Sequence, residues 1–96
     1  MPAMNASVTT TDPGRLINRL CKHFQHKVDA QWTAEIGELR FVIGDCHLKA
    51  ADGALLMTCE AENEEKLEQV GEVVSSHLVR FAGGEVDSVQ WQPSAA

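Results

Sequence analysis

Three histidines are the residues of this chain whose type and spacing best suit chemistry. His23 and His26 lie three residues apart near the end of a predicted helix, so they share a face and could hold one metal ion. Two imidazoles alone make a poor site, and a metal-binding protein or metal-dependent enzyme would need His77 as a third ligand. The cofactor would then be a divalent metal or iron. In the alternative interpretation, His23 and His26 are half-exposed and favour the negative end of the helix dipole, while His77 is partly buried and hydrogen-bonded.

Anion binding is a second interpretation of the same histidines. The guanidinium of Arg80 offers a fork for a carboxylate or a phosphate. We therefore predict a ligand-binding set of His23, His26, His77 and Arg80, with a small anionic ligand or a protein as the partner. The chain contains no Gly-rich phosphate loop, C-x-x-C, H-E-x-x-H or nucleophile-elbow motif. We assign no catalytic residue and expect a non-enzymatic binding or interaction module.

Two of the three cysteines form a predicted cross-strand pair. Asp52-Gly53 is a strong hairpin signal, and a turn there sets Cys46 directly opposite Cys59. Counting outward from the turn, this is a non-hydrogen-bonded pair, in which the Cα atoms lie about 4.5 Å apart and a disulfide is within reach. The sequence therefore predicts either a redox-sensitive pair or two buried thiols that pack as small apolar side chains.

Two amphipathic helices position the histidines. The first is predicted over Arg15–Val28, with Asp12 as N-cap and Pro13 at the first helical position. The second begins after Asn63 and ends at Gly83-Gly84. Their apolar stripes are Leu16, Ile17, Leu20 and Phe24 in the first helix and Leu67, Val70, Val74, Leu78 and Phe81 in the second.

Alternating apolar residues predict six strands around these helices. A short strand is expected at residues 7–11, four strands in a meander between residues 28 and 61, and a last one over residues 86–91. A second turn at Gly44-Asp45 would set Ile43 opposite Cys46. We predict an α+β, two-layer sandwich, an antiparallel β-sheet with two α-helices on one face, in the order β-α-β-β-β-β-α-β. Val42 and Leu56 are apolar exceptions on the polar face.

The chain is expected to be a single domain over residues 1–96, with a core at about 7–91 and loose tails at 1–5 and 92–96. Its formal net charge of -6 argues against nucleic acid or an anionic membrane as partner. No apolar run approaches the roughly 20 residues that span a bilayer, and the N-terminus lacks the features of a secretory signal. With three cysteines in no framework pattern, we expect a cytoplasmic protein, either a monomer or a homodimer formed through the polar sheet face or an edge strand.

Four short motifs, in order, resemble a small bacterial family, domain of unknown function 2218. They are L-C-K-H-F-x-H-K at Leu20–Lys27, G-x-L-x-F at Gly37–Phe41, H-L-x-R-F-A at His77–Ala82 and V-x-W at Val89–Trp91. The resemblance covers about Ser7 to Trp91 and implies a stand-alone α+β domain of bacterial origin with no established activity. Similar domains also occur beside siderophore-interacting flavoprotein domains, which implies a link with iron handling and an iron-siderophore carboxylate as ligand. The chain departs from the family at Gly83-Gly84, where bulkier aromatic and basic residues are expected.

Overall fold

Two helices cover one face of a six-stranded antiparallel sheet in the computed structural model, which describes residues 2–94. The elements in chain order are β1 (Ala3–Thr9), α1 (Pro13–Phe24), β2 (Asp29–Trp32), β3 (Ile36–Phe41), β4 (Gly44–Ala51), β5 (Ala54–Ala61), α2 (Glu64–Phe81) and β6 (Gln92–Ser94). The strands lie side by side in the order β2-β3-β4-β5-β1-β6. The predicted fold class and element order are confirmed. Neither helix in residues 2–94 is long and apolar enough to cross a membrane.

Helix α1 begins where the sequence predicts and ends earlier. The side chain of Asp12 accepts a hydrogen bond from the Arg15 amide at 3.1 Å, and Pro13 occupies the first helical turn. The prediction extended the helix to Val28, but it ends at Phe24, whose carbonyl accepts from the amides of both Lys27 and Val28. This shared carbonyl tightens the last turn, so the helix stops there and His26 lies beyond it.

Helix α2 has the predicted ends. The Asn63 side chain accepts from the Lys66 amide at 2.9 Å, and Glu64 and Glu65 occupy the positive end of the helix dipole. Ala82 is the C-cap, and Gly83 and Gly84 follow with positive φ angles of 63° and 92°. Glycine adopts this left-handed backbone without a Cβ clash, which lets the chain leave the helix.

The hairpin of β4 and β5 has the predicted register. Ala51 pairs with Ala54, Leu48 with Met57 and Cys46 with Cys59. Gly53 in the turn has a φ of 72°, as a tight hairpin turn requires. Because the register is right, the apolar side chains of both strands point toward the helices.

The hairpin of β3 and β4 turns two residues earlier than predicted. The turn lies at Val42 and Ile43 rather than at Gly44-Asp45, and Leu39, not Ile43, faces Cys46. Gly44 is instead the first residue of β4, where a Cβ would overlap the Glu60 carbonyl oxygen. The pairing register therefore slips by four residues, an even number, which keeps each side chain on its own face of the sheet, so the predicted core face survives this error.

The two chain ends form strands where loose tails were predicted. The first strand was expected at residues 7–11 but spans Ala3–Thr9, and the last was expected at residues 86–91 but spans Gln92–Ser94. Strands are present at both ends, as predicted, but their bounds are wrong. The end strands are stabilised by pairing, since β1 lies between β5 and β6 with Ala3 opposite Ser94. Of the predicted tails, residues 1, 95 and 96 lie outside the described part of the chain.

Two tryptophans form hydrogen bonds between the two edges of the sheet and the helix layer. Trp32, in edge strand β2, donates its indole hydrogen to the Asn18 side chain of α1 at 3.0 Å. Trp91, next to edge strand β6, donates to the Ser75 hydroxyl of α2 at 2.8 Å. The core between the layers is made of fully buried apolar side chains, among them Ile17, Leu20, Leu39, Leu48, Leu55, Met57, Val70, Val74 and Leu78.

Candidate functional site

His77 is held by the backbone of its own helix. The residue is partly buried near the end of α2, and its Nδ1 lies 2.7 Å from the carbonyl oxygen of Val73. Because a carbonyl can only accept, Nδ1 carries the hydrogen and donates it. In the neutral ring the Nε2 atom is therefore the one left as an acceptor. The predicted partly buried, hydrogen-bonded histidine is present.

The two helices bring His23 and His77 together. Their ring centroids lie 4.9 Å apart with the planes tilted by 41°. The His23 ring also lies 5.3 Å from the ring of Phe81, edge to face. On the inner side, Phe24 packs 4.8 Å from His77 and 5.1 Å from Phe41. We call these five residues the histidine-aromatic surface.

Positive charge surrounds this surface. The Arg19 guanidinium carbon lies 5.7 Å from the centroid of the Phe81 ring, within the range of a cation-π contact. Desolvation lowers the pKa of His23, and the nearby His77, Lys27, Arg80 and His26 lower it further. Since these basic groups all lower the pKa of one imidazole, they lie close together at one end of the helix layer.

The ion pairs among the described residues lie away from this surface. The ion pairs join Arg40 to Glu38, His47 to Glu60 and Lys66 to Glu62. Within residues 2–94, Arg19, Lys27 and Arg80 form no ion pair. The chain as a whole is acidic, yet this end of the helix layer carries basic side chains that are free to meet an anion from outside.

A cleft of about 270 Å³ continues the surface past Phe81, between the start of α1 and the end of α2. Arg15 and Arg19 contribute to its lining. Glu85 also lines it, but its carboxylate accepts from the Thr11 hydroxyl at 3.0 Å and from the Thr11 amide at 3.3 Å. Hydrogen bonds from the side chains of Thr10 and Thr11 lower the pKa of Glu85. The carboxylate is thus tied to the backbone at the base of α1 and leaves both guanidinium groups without an ionic partner.

The predicted metal site of three histidines is not assembled. His26 is exposed in the turn after α1. Because the helix ends at Phe24, His26 does not share a helical face with His23 as the prediction required. Among the residues described, no three His, Cys, Asp or Glu side chains are grouped so that they could hold a metal ion. The structure joins His23 with His77 and places the charge of Arg80 near them.

All three cysteines are free, fully buried thiols. Cys46 faces Cys59 across the strands, as predicted. A hydrogen bond with Cys59, and then burial, raises the pKa of Cys46 well above its usual value. Burial raises the pKa of Cys21 to about 11. Because the thiolate is the reactive form, the raised pKa of Cys46 opposes oxidation of the Cys46 and Cys59 pair in the folded protein.

A groove on the outer face of the sheet was missed. It has a volume of about 620 Å³ and crosses β2, β3, β4 and β5 on the side away from the helices. Ile36 and Leu56 are exposed in it. The alternation had marked Leu56 as an apolar exception on the polar face, and the register of Ile36 opposite Lys49 supplies the second. Ile36 in β3 and Leu56 in β5, on either side of Lys49 in β4, were the available signal.

The fold and the site define a small two-layer α+β domain with an aromatic and basic surface on its helix layer. The chain belongs to the family described as an uncharacterized protein conserved in bacteria, domain of unknown function 2218, whose model matches residues 5–92. It is similar to the NMR structure of PA4090 from Pseudomonas aeruginosa, with 33% identity, full coverage of both chains and a TM-score of 0.82. No curated protein matches the chain. Neither the family nor the similar structure carries a description that mentions iron or siderophores.

Proposed function

We propose that the protein is a non-enzymatic binding module that holds an anionic ligand on the histidine-aromatic surface. One observation carries the proposal. The exposed His23 ring packs on His77 and Phe81, beside the guanidinium of Arg19, and none of the nearby basic groups is paired with a described carboxylate. A carboxylate or phosphate is the chemistry that a guanidinium beside two imidazoles recognises.

The distribution of nucleophiles supports binding rather than catalysis. All three cysteines are buried in the core, and the pKa values of Cys21 and Cys46 are raised, so no cysteine is available to act with His23 or His77. His77 also gives one ring nitrogen to the Val73 carbonyl, which fixes its orientation. A fixed ring beside exposed cations suits recognition of a ligand.

Protonation of His23 should strengthen the interaction. Desolvation and the neighbouring basic groups lower the pKa of His23, so its ring is largely neutral at neutral pH and gains a positive charge as the pH falls. An anion bound at this surface would raise the pKa of His23 and would bind more tightly near pH 6 than near pH 8. This increase in affinity at lower pH distinguishes the proposal from simple binding to lysines, which stay charged over that range.

The test is an NMR titration of the ¹⁵N-labelled protein with inorganic phosphate, citrate and a short polyglutamate peptide. We expect shifts at Arg19, His23 and Phe81, and a loss of at least about tenfold in affinity in the double variant Arg19→Gln, Arg80→Gln, from the removal of two charge-assisted contacts. Lys66→Gln is the matched control, since Lys66 is paired with Glu62 at the other end of α2. The proposal fails if the double variant binds like the unaltered protein, or if no anion shifts these signals.

A further inference from the structure

The outer sheet groove is built from two cross-strand rows of side chains. In one row Ile36 of β3 faces Lys49 of β4, and Lys49 faces Leu56 of β5. In the neighbouring row Glu38 faces His47, and His47 faces Thr58. All six residues line the groove. Because cross-strand neighbours lie about 5 Å apart, the first row places one ammonium group between two apolar side chains.

The apolar members of this row are unusually open to solvent. Ile36 is 55% exposed and Leu56 is 38% exposed, on a face of the sheet that is mostly polar. Covering them would remove apolar surface from water, which favours any occupant with an apolar body. The groove volume of about 620 Å³ lies in the range typical of small-molecule sites.

The charge of the groove favours an anion at one point. Glu38 pairs with Arg40, the two atoms being 2.5 Å apart, and the His47 ring lies 3.8 Å from the Glu60 carboxylate. Lys49 makes neither an ion pair nor a side-chain hydrogen bond with any residue in 2–94. The groove therefore presents one uncompensated ammonium group flanked by isoleucine and leucine.

The geometry points to a second binding site in this groove, for a medium-chain aliphatic carboxylate. The carboxylate would pair with the Lys49 ammonium, while the alkyl chain would lie across Ile36 and Leu56. The assignment rests on charge complementarity and on the two exposed apolar neighbours. It is independent of the histidine-aromatic surface, which lies on the opposite side of the sheet.

Sodium octanoate, kept below its micelle concentration, is the probe, and backbone NMR shifts are the measurement. We expect shifts at Ile36, Lys49 and Leu56, which line the groove. Lys49→Gln should weaken octanoate binding by about tenfold, as expected for loss of a charge-assisted contact. The same variant should leave binding of 1-octanol unchanged, because the alcohol carries no charge.

Two further variants complete the design. The double variant Ile36→Thr, Leu56→Thr keeps β-prone residues at exposed positions, so it should remain folded while losing octanoate and octanol alike. Lys66→Gln, which removes an ammonium group already paired with Glu62 at the start of α2, should bind octanoate as the unaltered protein does. The inference is overturned if octanoate shifts no signal on this face, if Lys49→Gln binds it normally, or if the shifts map to the helix layer instead.

Discussion

His77 shows how far a single residue can be understood from the sequence. Its position beside the apolar stripe of α2 predicts a partly buried ring with a hydrogen-bond partner, and the structure supplies the Val73 carbonyl. Its contact with His23 was not predictable to the same degree, because it depends on how two helices from distant parts of the chain pack together. Periodicity assigns each residue to a face, and it does not say which face of another helix that residue meets.

The His23 ring makes stability depend on pH. Its pKa is lowered by desolvation and by neighbouring positive charge, whereas in the unfolded chain it returns to the ordinary value of about 6.5. As pH falls through that value, the unfolded state takes up the proton first, and the free energy of unfolding decreases. The decrease ends once pH passes the lower pKa of the folded state. We expect His23→Gln to lose less thermal stability between pH 8 and pH 5 than the unaltered protein.

Thermal unfolding at several pH values, with NMR titration of the imidazole signals, measures this effect. His26→Gln is the matched control, because His26 lies in the adjoining turn and its ring packs on no aromatic ring among residues 2–94. That variant should keep most of the pH dependence, because His26 makes the smallest contribution among the groups that lower the pKa of His23. An unchanged slope in His23→Gln would assign the pH dependence to other groups.

At the level of elements, the two hairpins of the meander differ in how well they were predicted. Gly53 is a glycine because the hairpin turn gives its backbone a positive φ, and nothing lies within 4 Å of an added Cβ there. Gly44-Asp45 carries similar turn chemistry, yet Gly44 is a glycine for another reason. It lies in β4 against the Glu60 backbone and the side chain of Val70, where a Cβ has no space. A glycine required for close packing and one required for a turn look alike in a sequence.

Gly44→Ala should therefore destabilise the protein by about 2 kcal/mol, the typical effect of overpacking a close contact. The added methyl group would meet the Glu60 carbonyl, which belongs to the β5 backbone and cannot rotate away. Gly53→Asn is the control, because asparagine tolerates the left-handed backbone and nothing lies within 4 Å of the position. Urea denaturation would measure both, and equal midpoints for Gly44→Ala and the unaltered protein would contradict the packing argument.

Across the whole molecule, the end strands were the least predictable part of the fold. The first strand does alternate, with Met4, Ala6 and Val8 buried, but the prediction begins it at Ser7 and assigns residues 1–5 to a tail. The last strand contains Pro93, a residue tolerated at a sheet edge, and shows no apolar alternation. Both gain their stability from pairing that joins the two ends of the sequence, which no local pattern reveals. The aromatic and basic surface depends equally on long-range packing.

Trp91 connects the late part of the chain to the body of the molecule. Its indole donates to Ser75, and a side chain at Gly71 would crowd both Trp91 and Met4. Trp91→Ala should lower the free energy of unfolding by about 2 kcal/mol, less than for a fully buried tryptophan, because the residue is only partly buried. Trp91→Phe should lower it by about 1 kcal/mol, since the ring stays and the hydrogen bond is lost.

Urea denaturation measures both changes, and hydrogen exchange reports whether the β6 amides lose protection. Ser75→Ala is the matched variant, since it removes the same hydrogen bond from the other side. It should resemble Trp91→Phe. If Trp91→Ala were as stable as the unaltered protein, the connection between Trp91 and α2 would have no role in holding the last strand.

The pairing of β1 with β6 brings the first and last strands of the chain side by side. Ala3 faces Ser94 across adjacent strands, so the chain enters and leaves the domain at one place. The domain could be inserted into a surface loop of a host protein, because its adjacent ends would hardly move the two sides of that loop apart. The chain could also be circularly permuted by joining its two ends with a linker. The exposed turn at Gly53, where nothing lies within 4 Å of an added Cβ, is the natural place for the new termini. Adjacent ends thus suit this small domain to being moved between proteins as a unit.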